Sequence, residues 1–310
     1  MKNKKTFLIT GGNGFIGRNI ANLLVKKKYK VIVYDNEFRN SVKELNNKKI
    51  KFIKGDIRDK KKLDIALKLS DAVIHLAYIN GTKYFYKIPE QILDVAIKGN
   101  INIFDGCKKY NIQELYLASS SEVYQTPINV PTKETEPLKI PDIFNPRYSY
   151  GGGKILTELM GINYGKKFFK KLVIFRPHNV YGPYMGEEHV IPEFIKKVKN
   201  LRNGILKIQG SGKESRSFIY IDDFVEAFYL LITKGKHLNI YNIGSTESIE
   251  IIDLAKTILK LFNKKAKIKK TAIKKGGTKI RLPDVSKIKK IGFLQKYNLD
   301  EGLKKTIDYY

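Results

Sequence analysis

The sequence contains one cysteine, Cys107, so no intramolecular disulfide can hold the fold together. Cys107 follows Ile103-Phe104 on a predicted helix and reads as a packed thiol rather than a nucleophile. No run of about 18 apolar residues occurs, which excludes a membrane-spanning helix of ordinary length. Met1 to Lys5 runs straight into Phe7-Leu8-Ile9 without the hydrophobic region of a signal peptide, so a cytoplasmic location is expected. Internal repeats, a low-complexity tail and a clear linker are also missing. Acidic residues are scarce: 30 Asp and Glu face 59 Lys and Arg, a formal net charge of +29. That excess raises the question of nucleic acid. The lysines are nevertheless spread along the chain, as in Lys26-Lys27-Lys28, Lys60-Lys61-Lys62 and Lys264-Lys265, mostly on predicted polar helix faces or turns. Arginine, which base readout favours, is scarce beside lysine. No nucleic-acid partner, no membrane partner and no metal site are expected. The charge reads as solvated surface, or as attraction for polyanionic small molecules.

What the sequence does have is alternation. Its 310 residues, 42% hydrophobic, suffice for one large domain or two intimate ones. Thr6 to Thr10 is a continuous apolar run, read as a buried parallel strand. A helix is predicted from about Phe15 to Lys27. Strands follow at Lys30–Tyr34, Lys51–Lys54, Ala72–Leu76, Glu114–Ala118 and Lys171–Phe175, with helices around Lys60–Leu69 and Pro89–Tyr110. Strands separated by helices imply a parallel sheet with right-handed crossovers, the doubly wound α/β (Rossmann) fold. Thr126 to Pro146, rich in Pro and charge, reads as a loop over the site. Beyond Arg176 the alternation weakens into short segments at Leu206–Gln209, Phe218–Ile221, Asn239–Ile243 and Ala266–Ile268. Helices are expected at Pro192–Lys199, Asp223–Leu231, Ile249–Leu261 and Leu299–Tyr310. The expected division assigns residues 1–175, with return segments around 215–245, to a cofactor domain. Residues 176–214 and 246–310 would form a smaller, discontinuous substrate-binding lobe.

Gly12-Asn13-Gly14-Phe15-Ile16-Gly17 satisfies G-x-G-x-x-G, and Gly11, Gly14 and Gly17 also fit G-x-x-G-x-x-G. The pattern follows a strand and opens a helix, where glycines let the backbone approach a pyrophosphate on the helix N-terminus. Asp35 ends the second strand, 18 residues after Gly17, where a carboxylate can take the adenine-side ribose hydroxyls and repel a 2′-phosphate. NAD is therefore expected over NADP, with Arg39 as the counter-argument. Asp56 is placed to reach the adenine or to cap a turn, and His75 reads as a positioned core residue. Asn36, Ile57, Leu76 and Ala77 complete the expected cofactor contacts.

Tyr150 and Lys154 stand four residues apart, one turn of a helix. An ammonium beside a phenol favours the phenolate, so Tyr150 can serve as a base. Ala118-Ser119-Ser120-Ser121-Glu122-Val123-Tyr124 leaves the fifth strand at the ligand edge of such a sheet. Ser120 can there hydrogen-bond a substrate hydroxyl while Tyr150 takes its proton, and Lys154 can also bind the nicotinamide ribose. Glycines fill the positions between Tyr150 and Lys154, at roughly 1 kcal/mol each against Ala. Their presence predicts close approach by another backbone or a ligand.

These motifs resemble those of the extended short-chain dehydrogenase/reductases, specifically the NAD-dependent sugar-nucleotide epimerase/dehydratase family. The resemblance covers nearly the whole length. It includes Arg176-Pro177-His178-Asn179-Val180-Tyr181-Gly182-Pro183, Val190-Ile191-Pro192, Arg216 to Asp223, Tyr241-Asn242-Ile243-Gly244 and Arg281-Leu282-Pro283-Asp284. It implies a nucleoside-diphosphate sugar substrate. Asn179, Arg216 and Arg281 would lie on the diphosphate, Val190 near the base and Ser121 beside the sugar; guanidinium groups suit a diphosphate on physical grounds too. It further implies oxidation of the sugar C4 hydroxyl to a ketone, with C4 epimerisation expected first. Net C4 dehydrogenation, and 4,6-dehydration or decarboxylation using Glu122 as acid/base, are the alternatives; a non-catalytic NAD-binding regulator is the remote one. Ser121-Glu122 is more similar to mannose-type dehydratases and uronate decarboxylases than to the Asp-Glu dehydratases. Gln125 stands where the family usually has Gly, and Asn80 to Tyr86 departs from the common pattern. The resemblance also implies a homodimer through the helices Pro89–Tyr110 and Ser149–Phe168. Ile92, Val95, Ile103, Leu156 and Leu159 can serve that interface or the monomer's own core.

Overall fold

The computed structural model describes residues 4–39, 47–202, 204–272 and 277–310, so the first three residues of the Met1–Lys5 start lie outside it. Its centre is a parallel sheet. The strands are β1 (Thr6–Thr10), β2 (Lys30–Asp35), β3 (Ile50–Lys54), β4 (Ala72–His75), β5 (Glu114–Ala118) and β6 (Lys171–Pro177), with a return strand Asn239–Ile243. Their order is return strand, β6, β5, β4, β1, β2, β3. Alternate residues serve opposite faces, as strand geometry requires. Phe7, Ile9, Ala72, Ile74, Val173 and Phe175 pack on one side, against Ile20 and Leu24 of the helix Phe15–Lys26 and Phe224 and Phe228 of the helix Ile221–Lys234. Leu8, Val73, Leu115, Leu117 and Ile174 pack on the other, against Leu63, Leu67, Ile103 and Phe104. The sheet is therefore covered on both faces, which is why its inner strands read as unbroken apolar runs.

The structure sharpens the sequence reading at three places. Asn239–Ile243 belongs to the sheet, paired in parallel with β6 from Asn239↔Val173 to Ile243↔Pro177. The predicted helix Pro89–Tyr110 is three segments: Pro89–Asp94, a π turn Val95–Gly99, and Asn100–Lys109. The wide turn fits its surroundings. A Cβ on Gly99 would lie 2.3 Å from Ile57 Cδ1, and the buried Asn100 amide donates to Thr157 Oγ1 at 2.9 Å. Finally, most of the unusual Asn80–Tyr86 stretch belongs to a short helix, Thr82–Lys87.

The remaining chain forms small sheets beside the main one. Ile205–Gln209 pairs in parallel with Lys267–Thr271, and Ser215–Arg216 bridges Ile249–Glu250 and Ile280–Arg281. Helix formation near Ile249 thus starts two residues later than expected, at Ile251. Cys107 is fully buried and burial pushes its thiol up, which agrees with a packed side chain. Of the residues considered for a dimer, Ile92, Val95 and Ile103 are core, whereas Leu159 is 58% exposed. Leu93, Ile97 and Ile101 on the neighbouring helical segments are exposed instead. Among the described residues no helix is long and apolar enough to cross a membrane.

Candidate active site

The glycine loop leaves β1 and turns into the helix Phe15–Lys26 with Gly14 at its N-cap. Gly11 has φ +68°, and a Cβ there would sit 2.7 Å from the backbone of Ala77. A Cβ on Gly17 would lie 2.4 Å from the Gly11 carbonyl. Only glycine lets the loop fold this tightly against the start of its helix, whose free N–H groups suit a phosphate. Asp35 Oδ2 accepts from the Asn13 N–H at 3.0 Å and Oδ1 from Glu37 N–H at 2.7 Å, so this carboxylate braces the loop itself. Asp56 accepts from Arg58 at 2.8 and 2.9 Å and from the Asn36 amide at 2.9 Å, and Arg58 chiefly holds its carboxyl down at about 2. Its backbone carbonyl also closes a turn at Asp59, so the turn-capping role is present. His75 is buried at about pKa 3 and paired with Thr10 Oγ1 at 2.7 Å, a neutral core imidazole. Arg39 donates to the Asn80 carbonyl at 2.7 Å.

At the far end of the same cleft, β5 delivers Ser120 and the helix Tyr148–Lys167 delivers Tyr150 and Lys154. The Ser120 hydroxyl accepts from the Glu122 N–H at 3.1 Å and lies close enough to the Tyr150 phenol to lower its pKa. Lys154 Nζ donates to the Ala118 carbonyl at 2.7 Å. Burial pushes the Tyr150 phenol up to about 12, against the pull of Ser120, and pushes the Lys154 ammonium down to about 7. In the chain alone, then, Tyr150 is a neutral phenol at neutral pH, contrary to the simple expectation from its lysine neighbour. The Lys154 ammonium lies 5.9 Å from the Tyr150 ring centroid but 3.9 Å from that of Tyr78. Desolvation outweighs that distant charge.

The glycines beside Tyr150 are crowded mainly by side chains rather than by other backbone. A Cβ on Gly151 would meet Gln125 Nε2 at 2.5 Å and the Glu122 carbonyl at 3.0 Å; one on Gly153 would meet Tyr78 Oη at 2.0 Å. Gln125 itself adopts φ +51°, the left-handed region that explains why glycine is usual there. Its side chain compensates by donating to the Glu122 carbonyl at 2.5 Å.

Glu122 is the most heavily paired group of the site. Its Oε2 lies 2.8 Å from Arg281 and its Oε1 3.7 Å from Arg147. Burial alone would raise its carboxyl, but Arg281, Arg147 and Arg216 outweigh that and hold it below the usual range. Arg216 is in turn lowered to about 9 by burial and by Arg281. Asn179 donates to the Ser217 carbonyl at 3.0 Å. Beneath the site, Arg176 and Glu158 form a buried pair at 2.6 Å that also takes the Ser119 hydroxyl and ties β5 and β6 to the Tyr148–Lys167 helix.

Gly11, Gly14, Phe15, Ile16, Gly17, Asp35, Asn36, Asp56, Ile57, Leu76 and Ala77 all line one cleft of about 470 Å³. So do Ser120, Ser121, Glu122, Tyr150, Lys154, Asn179, Val190, Arg216 and Arg281. Sequence reasoning missed Tyr78, Phe85, Arg147 and His189, which line it too. Burial lowers His189 to about 4. Arg147, in Asn145-Pro146-Arg147 just before the Tyr148–Lys167 helix, carried no recognisable signal. Phe85 stacks on Tyr150 with centroids 5.0 Å apart and came from the stretch already noted as unusual.

A glycine-rich loop between a strand and a helix, a carboxylate at the end of β2 and a Ser-Tyr-Lys set in one cleft define a short-chain dehydrogenase type of enzyme. A sequence profile of the NAD dependent epimerase/dehydratase family matches residues 7–244, and the chain belongs to that family. NAD is the cofactor of the family, and the loop and Asp35 fit it. The chain is 34% identical over 277 residues to a dTDP-D-glucose 4,6-dehydratase of Dictyostelium discoideum, covering 82% of this chain and 61% of that protein. It thus spans less than two thirds of that relative's length. It is 33% identical to a UDP-N-acetyl-alpha-D-glucosaminuronate decarboxylase of Bacillus cytotoxicus, over 99% of this chain and 98% of the relative. The crystal structure of UDP-glucose 4-epimerase from Thermotoga maritima with UDP-glucose superposes with a TM-score of 0.88 at 27% identity, covering 98% of each chain.

Proposed function

We propose that this protein is an NAD-dependent epimerase of a nucleoside-diphosphate sugar, inverting the sugar C4 through a 4-keto species. Bound NAD supplies the two-electron acceptor and donor for that carbon. Tyr150 takes the proton of the C4 hydroxyl, and Ser120 holds the same oxygen. Lys154, as an ammonium, lowers the phenol toward its working range and anchors the ribose. Arg216 and Arg281 hold the diphosphate, with Asn179 and Ser121 orienting the substrate and Val190 beside the base. The return step reverses the proton path: Tyr150 gives its proton back to the C4 oxygen after the ketone has presented its other face.

The observation that carries the epimerase reading is the state of Glu122. A carboxylate held below its usual range by Arg281 and Arg147 is a poor proton donor and a weakened base. Elimination of water across C5 and C6 needs such a group; inversion at C4 does not. The second reading, 4,6-dehydration or decarboxylation, is favoured by the Ser121-Glu122 pair and by the similarity to a dTDP-D-glucose 4,6-dehydratase and a UDP-N-acetyl-alpha-D-glucosaminuronate decarboxylase. Net dehydrogenation at C4 would leave reduced cofactor behind.

The test is to incubate the protein with NAD and a panel of UDP-, GDP-, CDP- and dTDP-sugars. An isomer of unchanged mass supports inversion. Loss of water or carbon dioxide replaces it with the second reading, and accumulating NADH with a released 4-keto sugar replaces it with dehydrogenation. We also propose that the chain pairs as a homodimer through the exposed Leu93, Ile97, Ile101 and Leu159. A monomeric mass for the parent protein in sedimentation would remove that proposal.

A further inference from the structure

Tyr78, three residues beyond the end of β4, has no part in the mechanism above, yet it stands against Tyr150, Gly153 and Lys154 of the helix Tyr148–Lys167. Its hydroxyl fills the space in which a Gly153 Cβ would stand, 2.0 Å from that position, with Ala96 Cβ at 2.9 Å on the same spot. Its face lies 3.9 Å from Lys154 Nζ. Its ring meets the Tyr150 ring edge-on, with centroids 5.2 Å apart and planes at 88°. Phe85 stacks on Tyr150 at 5.0 Å, so two aromatic side chains hold the phenol ring. The Tyr78 hydroxyl is buried without a hydrogen-bond partner among the described residues. A buried hydroxyl gains nothing from that arrangement. The part of Tyr78 that fits the site is its ring.

We propose that Tyr78 is a positioning residue: its ring face holds the Lys154 ammonium, its contact braces Tyr150, and Gly153 is glycine to admit it. The proposal rests on the reading of Tyr150 and Lys154 as the catalytic pair. The electrostatics agree in sign. Lys154 is faced by His75 from β4, by Tyr78, by the Ala118 carbonyl of β5, and by Tyr150 and Glu158 on its own helix. His75 is neutral, so the Ala118 carbonyl at 2.7 Å, the Glu158 carboxylate shared with Arg176 and the Tyr78 ring at 3.9 Å are the groups that favour the cation, and the ring is the only one of the three carried by a side chain with no other polar partner. Removing it leaves the ammonium with desolvation and less compensation, and its proton is lost at lower pH.

The test uses the full chain and two readouts. The first is the titration of the Lys154 side chain by 13Cε NMR, assigned by the signal lost in Lys154→Arg. The second is the pH profile of kcat/KM with the active sugar nucleotide. Tyr78→Leu is expected to move the Lys154 midpoint and the alkaline limb down together, by roughly 0.5–1.5 pH units. Tyr78→Phe keeps the ring face and is expected to restore both. Gly153→Ala alone is expected to be severely damaging and to be partly relieved alongside Tyr78→Leu, the Ala96 contact at 2.9 Å remaining, which guards against a variant that merely misfolds. A parental midpoint in Tyr78→Leu overturns the proposal. So does a Tyr78→Phe protein that behaves like Tyr78→Leu, since the hydroxyl would then be the working part. If Lys154→Met retains full turnover, the catalytic reading fails instead, while the NMR midpoint still decides the role of Tyr78.

Discussion

The two ends of the cleft are built from different material. The glycine loop is made of backbone within one strand-turn-helix unit, and its charged neighbours Asp35 and Asp56 are engaged by nearby partners at 2.7–3.0 Å. The sugar end is made of side chains drawn from remote segments: Ser120 and Glu122, Arg147 and Tyr150, Arg216, and Arg281. There one carboxylate faces several guanidiniums, and Tyr150, Lys154, Glu122 and Arg216 are shifted from their ordinary values by groups from separate segments, whereas Asp56 at the loop end is shifted chiefly by Arg58 two residues away. A site made of backbone tolerates little change in shape, whereas a site made of competing charges tolerates shape but is sensitive to every charge. That contrast is the pattern expected where one end binds a fixed cofactor and the other performs chemistry.

The contrast can be broken most sharply by Tyr150→Phe. Turnover is expected to fall by roughly 10²–10⁴-fold, the usual worth of a general base. Cofactor and nucleotide sugar should still bind by calorimetry, and unchanged turnover would remove Tyr150 from the mechanism. Gly17→Ala attacks the other end. Its Cβ meets backbone at 2.4 Å, so a loss of roughly 1–3 kcal/mol in stability is expected together with weaker NAD binding. Parental melting and NAD affinity would show that the loop has slack.

Glu122→Gln sharpens the comparison through pH. The Glu122 carboxyl is lowered in the fold. Its stabilising contribution is complete above the unfolded carboxylate range and is lost as pH falls through the lower folded value. The variant is expected to flatten the acid side of the stability curve below about pH 4.5, while reducing turnover only about tenfold or less on the epimerase reading. Complete loss of turnover would favour the elimination chemistry. The smallest change is Gln125→Gly. It relieves a left-handed backbone at φ +51° but removes a hydrogen bond, and a net shift within about 1 kcal/mol in urea unfolding is expected.

The same contrast explains what could be read in the sequence. The β1 to β6 strands, the phosphate loop and the Ser120/Tyr150/Lys154 set were legible because each is local: an apolar run, a glycine spacing, one helical turn. The return strand Asn239–Ile243 falls within the segments around 215–245 assigned to the cofactor domain, but its pairing beside β6 was not legible in its own pattern, since its outer half is only partly buried. The π turn at Val95–Gly99 follows from contacts with Ile57 and Thr157, far away in sequence. Tyr78 opposite Gly153, and Arg147 and Arg281 on Glu122, are likewise pairings that only the fold creates. The crowding at the glycines beside Tyr150 was foreseen, but its source, side chains from other elements, was not.

The account turns on a pinned Glu122 and a ketone that is returned rather than used. The most direct measurement is to run the reaction in deuterium oxide with each active nucleotide sugar and read the product by mass and NMR. The account predicts an isomer inverted at C4, of unchanged mass, with no solvent deuterium on carbon. A product that has lost water or carbon dioxide, or that carries deuterium at C5, would contradict it and make Glu122 a working acid/base.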